Sequence, residues 1–262
     1  MTAEDTGVWV YAVTASPREP ATLPVGVAGE PVRTVNSEGL IAFVGTVGLD
    51  EFGTAALHRH LEDLDWLEVV ARAHDAVVAA VAHGTATIPL RLATVCSDDN
   101  RVLTLLEQHR AEFDAALRRV AGRAEWGVRA YADPDRQSAE DDESGAAGGP
   151  GARYLARRRH ALTAREAFAQ AVAGDADEVH TVLMRVAAAA RRQPPTSPVL
   201  TGTREWMPLN GTYLVDEERT AEFTDAVTDS DRAHDRLRLE LSGPWPPYSF
   251  TGMAENGQEE TP

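Results

Sequence analysis

Residues 237–250, Leu-Arg-Leu-Glu-Leu-Ser-Gly-Pro-Trp-Pro-Pro-Tyr-Ser-Phe, leave the backbone little choice. Leu237, Leu239 and Leu241 alternate with Arg238 and Glu240, which is the period of a half-buried strand. Pro244, Pro246 and Pro247 then remove backbone donors and fix φ, and each residue before a proline is driven to an extended conformation. The expectation is a core strand at 237–241 that leaves regular structure as a stiff extended segment. That segment carries Trp245, Tyr248 and Phe250, which must lie against their own domain or against a partner. Its stiffness lowers the entropy lost on docking.

The elements upstream are set by their apolar periods. Residues 7–13 are apolar and β-rich, as a central strand is. Residues 32–35 and 40–47 flank Asn36-Ser37-Glu38-Gly39 and read as a hairpin. A short helix is expected over 50–61. A longer one is expected over 64–82, where Trp66, Val70, Ala73, Val77 and Val81 recur at helical spacing. Residues 87–95 read as a second buried strand. Ser97 or Asp98 caps a helix striped by Val102, Leu106, His109, Phe113, Leu117 and Val120, and Gly122 ends it. Residues 1–122 thus read as an α/β N-terminal domain.

From 124 the order is strand (124–132), helix (153–192), strand (198–204), strand (207–215), helix (from Asp216 to about Asp229) and strand (237–241). That β-α-β-β-α-β order is the α+β ferredoxin-like pattern, and it makes 123–250 the C-terminal domain. Gly174-Asp175 predicts a break or kink in the long helix, which would span about 57 Å if continuous. Asn210-Gly211 favours a tight turn and so conflicts with a strand at 207–215. Residues 133–151 hold six acidic residues, four glycines and two prolines without apolar periodicity, and are expected to be a mobile loop. The polar, acidic residues 251–262 are expected to form a disordered tail.

Charge narrows the functional classes. The formal net charge is −16, which disfavours nucleic acid and an anionic membrane surface as partners. Every basic residue is arginine, so lysine Schiff bases and P-loop lysines are excluded. One cysteine, Cys96, excludes an internal disulfide and multi-cysteine metal sites. The N-terminus lacks an apolar signal core and no run of 18 apolar residues exists, so a soluble cytoplasmic protein is expected.

Chemistry-bearing clusters are few. The eight histidines show no His-Glu-x-x-His spacing, and His58 and His60 point to different sides of a helix. Asp225, Asp229, Asp231 and Asp235 lack the glycine and terminal glutamate of a calcium loop, and read as a solvated helix end. Cys96 has no activating partner in the sequence and reads as an inert thiol. No catalytic, metal or cofactor residues are assigned. Arg153, Arg157, Arg158, Arg159 and Arg165 form the one dense basic cluster. It is a solvated helix face, or a docking surface whose guanidiniums grip the carboxylates of an acidic partner. A phosphate-bearing ligand is the third reading. Trp245, Tyr248 and Phe250 are an interdomain clasp or a docking surface.

Several stretches resemble the gas vesicle protein F/L family (GvpF/GvpL). They are residues 7–13, Trp66-Leu67-Glu68 with His74, Ile88-Pro89-Leu90-Arg91-Leu92, Glu125-Trp126-Gly127-Val128, Tyr154-Leu155-Ala156-Arg157-Arg158, Tyr213-Leu214-Val215-Asp216, and Gly243-Pro244-Trp245-Pro246-Pro247-Tyr248-Ser249-Phe250. They keep their order from about residue 7 to 250, and the last is the most specific. The resemblance implies a non-enzymatic accessory or minor structural protein associated with gas vesicles in a prokaryotic cytoplasm. It also implies an N-terminal α/β domain followed by a ferredoxin-like one. The implied partners are the hydrophobic shell protein, whose assembly it would assist, and other accessory proteins; no cofactor is implied. The rival reading is an anion- or small-molecule-binding ferredoxin-like protein, enzymes included, that uses the arginines of 153–165. Homo-oligomerisation is not legible in the residues.

Overall fold

The computed structural model describes residues 5–15, 22–60, 62–132, 150–194 and 206–252, without the side chains of 150–157 and 161. The strand expected at 198–204 lies outside the described residues, as do the mobile loop expected at 133–151 except 150–151, which are helical, and the tail expected at 251–262 except 251–252. The chain forms two compact units. The first is Met1–Glu125 together with Pro244–Pro262, and the second is Trp126–Gly243. The division read from sequence, 1–122 and 123–250, leaves the 244–250 segment with the second unit; packing groups it with the first.

In the first unit the central strand β1 (Thr6–Thr14) is buried at every residue after Thr6. Helices cover both of its faces, which is why it reads as continuously apolar rather than alternating. Val8, Val10 and Val13 pack with Val102, Leu106, Phe113 and Leu117. Trp9, Tyr11 and Ala12 pack with Val70, Val77, Val78 and Val81. Two adjacent residues, Tyr11 and Ala12, share a face because the register slips between Val10 and Ala12, a bulge.

β2 (Arg33–Ser37) and β3 (Leu40–Gly48) form the expected hairpin. The turn residues Glu38 and Gly39 both have positive φ, 44° and 92°, as a two-residue turn matched to strand twist requires. The sheet also includes β4 (Thr87–Pro89) and β5 (Val95–Cys96). Its order is β2-β3-β1-β4, with β5 also on β1. Each of these pairings is antiparallel.

The helices of this unit are α1 (Leu49–Phe52), α2 (Thr54–His60), α3 (Leu64–Ala82), α4 (Asp99–Gln108) and α5 (Arg110–Val120). The long apolar period gives α3 at its expected bounds, and Asp63 caps it by accepting from the Asp65 and Trp66 amides. Three expectations are corrected. The 50–61 helix is two helices parted at Gly53. The 97–120 helix is α4 and α5, parted at His109 (φ −105°, ψ 18°). The 87–95 strand is β4 and β5, parted where Ala93 takes φ 65°.

The second unit holds β6 (Arg123–Ala132) from Trp126 on, α6 (Pro150–Val186), β7 (Ala189–Gln193), β8 (Trp206–Asp216), α7 (Thr220–Ala233) and β9 (Leu237–Trp245) up to Gly243. Its sheet order is β7-β8-β6-β9. Trp126, Val128, Ala130 and Ala132 alternate inward from β6 and meet Phe168, Val172, Val179 and Leu183 of α6 and Phe223 and Val227 of α7.

Here too the sequence expectations need correction. α6 runs through Gly174-Asp175 as one helix, because Val172, Ala176 and Val179 keep one buried stripe across the glycine. It ends at Val186 rather than 192, and 189–193 is a strand paired antiparallel to β8. Asn210-Gly211 lies inside β8 with Gly211 opposite Arg192. A Cβ on Gly211 would come 2.7 Å from the Tyr213 ring, so the glycine serves side-chain packing and not a turn. β9 extends to Trp245 and so takes in Pro244, beyond the strand end expected at 241. The fold is mixed α/β with two sheets, and the first is antiparallel at every pairing given.

Candidate functional site

The C-terminal aromatics divide into two that are packed and one that is not. Past β9, residues Tyr248–Phe250 form a short 3₁₀ turn, closed by bonds from the Tyr248 amide to the Pro246 carbonyl and from the Phe250 amide to the Pro247 carbonyl. Phe250 is buried, and Tyr248 packs against the cluster that holds Trp9 and Val77. The Tyr248 hydroxyl donates to Asp75 Oδ1 at 2.8 Å, on α3. Burial, and then the bond to the Asp75 carboxylate, hold the Tyr248 phenol well above its ordinary range. Ser249 gives both its donors to one carboxylate: its amide to Glu125 Oε2 at 2.8 Å and its hydroxyl to Glu125 Oε1 at 2.7 Å. The Arg119 guanidinium donates to the Phe250 carbonyl at 3.4 Å. All of these partners belong to the first unit. Trp245 is 56% exposed.

A buried polar network lies in the same unit. Trp9 Nε1–H donates to His74 Nδ1 at 3.0 Å, which leaves the His74 proton on Nε2, facing the Leu90 carbonyl at 3.1 Å. Burial pushes the His74 pKa down, so the ring is held neutral. Tyr11 Oη donates to Glu30 Oε1 at 2.5 Å and accepts from the Val27 amide at 2.9 Å. The other Glu30 oxygen accepts from the Ala28 amide at 2.8 Å. Gly26 and Gly45 leave room for this carboxylate, since a Cβ on either would lie 1.9 Å from Glu30 Oε1. The network satisfies buried groups and pins the 26–30 loop on Tyr11.

The basic cluster is only partly in view. Arg153 and Arg157 lie on α6, and their side chains are outside the described residues. Arg158, Arg159 and Arg165 are exposed. Two of the aspartates of α7 have structural partners: Asp229 pairs with Arg232, and Asp231 accepts the Leu239 amide at 2.7 Å. Burial pushes the Cys96 thiol up, away from its reactive form. Among the described residues, no group of three or more His, Cys, Asp or Glu could hold a metal ion, and no helix is long and apolar enough to cross a membrane.

Sequence reasoning finds Tyr248 and Phe250 but misses Asp75, Arg119, Glu125 and Glu30. Glu125 stands in the sequence only as an acidic residue beginning an apolar strand, within the stretch Glu125-Trp126-Gly127-Val128 that carries part of the resemblance.

Fold and surfaces together define a two-unit mixed α/β protein marked by a docked C-terminal segment and a basic helix. A family model for the gas vesicle synthesis protein GvpL/GvpF matches residues 7–252. A gas vesicle protein L of Streptomyces sp. (strain CB03234) is 42% identical over 258 residues, 97% of this chain and 96% of the relative. A gas vesicle protein F from the same strain is 27% identical, over 68% and 75% of the two chains. The crystal structure of gas vesicle protein GvpF from Microcystis aeruginosa shares the fold with a TM-score of 0.66 at 19% identity, covering 94% of this chain and 98% of that one. GvpF from Anabaena sp. PCC7120 aligns with a TM-score of 0.65, over 94% and 96%. The chain belongs to the GvpL/GvpF family of gas vesicle proteins.

Proposed function

We propose that this protein is a non-enzymatic accessory or minor structural protein of gas vesicles. In this reading it resides in the cytoplasm, binds the hydrophobic shell protein together with other accessory proteins, and assists vesicle assembly. The observation that carries the reading is the family match across residues 7–252, strengthened by 42% identity to a gas vesicle protein L over nearly the whole of both chains. The lower identity to a gas vesicle protein F favours an L-like role.

The second unit is read as ferredoxin-like. Its order β6-α6-β7-β8-α7-β9 and its sheet order β7-β8-β6-β9 support that reading.

Physical chemistry makes the role coherent. A shell subunit with an apolar face aggregates unless that face is covered. A partner with a net charge of −16 keeps such a complex dispersed. The sheet ends, β2 and β4 in the first unit and β7 and β9 in the second, offer backbone donors and acceptors to an added strand. Co-purification of separately tagged proteins tests the reading: the shell protein, or another vesicle accessory protein, should be retained. Retention of neither would overturn it.

A further inference from the structure

We propose that residues 158–167 of α6 are a docking arm for an acidic, amphipathic segment of another protein. The buried stripe of α6 begins only at Phe168 and continues through Val172, Ala176, Val179, Leu183 and Val186. Over 158–167, a length of about 15 Å, no described side chain is buried. With only Ala164 half-covered among the described side chains, this stretch gains little from packing and is held largely by propagation from the packed half.

Its surface is specific in composition. Leu162 is 54% exposed. On a helix its neighbours are Arg158, Arg159, Arg165 and Glu166, at three and four residues on either side. An apolar side chain is therefore flanked by three guanidiniums and one carboxylate, a locally basic site on a strongly acidic chain. Among the described residues none of these three arginines has an ion-pair partner. Farther along the same helix, Asp175 and Asp177 are paired with Arg236 and Arg192 at 2.9 and 2.5 Å.

The charge pattern selects the occupant. Carboxylates match guanidiniums bidentately, and Leu162 adds an apolar anchor that a bare phosphate cannot use. The net charge of −16 repels a densely charged polyanion such as nucleic acid far more than a short segment with a few carboxylates. The inference rests on the reading of the chain as a binding protein, and its probe is synthetic so that the two can fail separately.

The test is fluorescence anisotropy of the full chain with a labelled helical peptide that has leucines on one face and glutamates on the other. A peptide of the same composition with scrambled order is the control. The amphipathic probe should bind more tightly than the scrambled one. Combined Arg158→Glu, Arg159→Glu and Arg165→Glu should weaken it at least about tenfold, with unchanged far-UV circular dichroism. Leu162→Ser should weaken the amphipathic probe and leave the scrambled one unaffected. Three outcomes would overturn the proposal: equal affinity of wild type and charge-reversed protein; equal binding of both peptides with no effect of Leu162→Ser, which marks a general anion patch; or self-association of the wild type abolished by Leu162→Ser, which makes the occupant a second copy. Any of these, with co-purification of vesicle proteins intact, would sink the arm and leave the accessory role standing.

Discussion

Glu125 accepts two hydrogen bonds from one serine and is almost wholly buried while doing so. Removing a buried acceptor leaves its donors without partners, which costs more than the bonds contributed. Glu125→Ala should therefore destabilise the protein by about 1–3 kcal/mol, seen as a lower midpoint in urea. The aromatics of the closing segment follow burial rather than size. Phe250→Ala, at a buried site, should cost about 3–5 kcal/mol. Trp245→Ala, at an exposed one, should stay within about 0.5 kcal/mol. Matching losses for the two would contradict the packing.

His74 supplies a pH signature at the same scale. Its folded pKa lies below the unfolded value of 6.5, so below that value the unfolded state binds more protons. Stability from neutral His74 is present above about pH 6.5 and is lost as pH falls towards the folded pKa. Melting temperature should fall between about pH 7 and pH 5 in wild type, and less steeply in His74→Gln. The shift at His180 has the same sign, through burial and then Arg192, and adds to the slope that remains. None of these partnerships is legible in the sequence. Tyr248 and Phe250 announce themselves as aromatics needing cover, but Asp75 and Glu125 lie 173 and 124 residues away from their partners. His74 sits on an apolar helical stripe, where a buried histidine and a surface one look alike until Trp9 is placed beside it.

At the scale of elements, strong periods are reliable guides and local breakers mislead. The α3 bounds and the β2–β3 hairpin follow from apolar spacing and a Glu-Gly turn. Gly174 has the look of a helix breaker, yet a glycine costs a helix only about 1 kcal/mol, less than the burial of Val172 and Val179 contributes. This makes Gly174→Ala informative. The site has open space around an added Cβ and helical backbone, so the substitution should raise stability by about 0.4–1 kcal/mol, measured by chemical denaturation. A loss would mean that the helix is not continuous there. Residues 189–193, Ala-Ala-Arg-Arg-Gln, carry strong helix propensity and no strand signal, and pairing with β8 overrides it. The splits at His109 and Ala93 have no local marker of the Gly or Pro kind, so single elements are expected there from residues alone.

For the whole molecule, the governing fact is that the first unit is built from both ends of the chain. Ending the protein at Gly243 would remove the Tyr248, Ser249 and Phe250 contacts described above. Hydrogen exchange in α3 and α5 should then accelerate, while the second unit's α7 keeps its protection. Uniform acceleration across both units would contradict the division. The order of strands and helices is largely legible across the molecule, because most elements carry their own period. The membership of the last residues is not, because no local pattern says which core a buried phenylalanine enters.

That discontinuity has a consequence for how the protein is made. A ribosome adds roughly 5–20 residues per second, so the entire second unit is synthesised before the closing segment of the first emerges. During an interval on the order of ten seconds, β1 and α3 exist without Tyr248 and Phe250 against them. The aromatic close can therefore form only after the whole of Trp126–Gly243 has been made, so β1 and α3 wait for their last cover while another unit is synthesised.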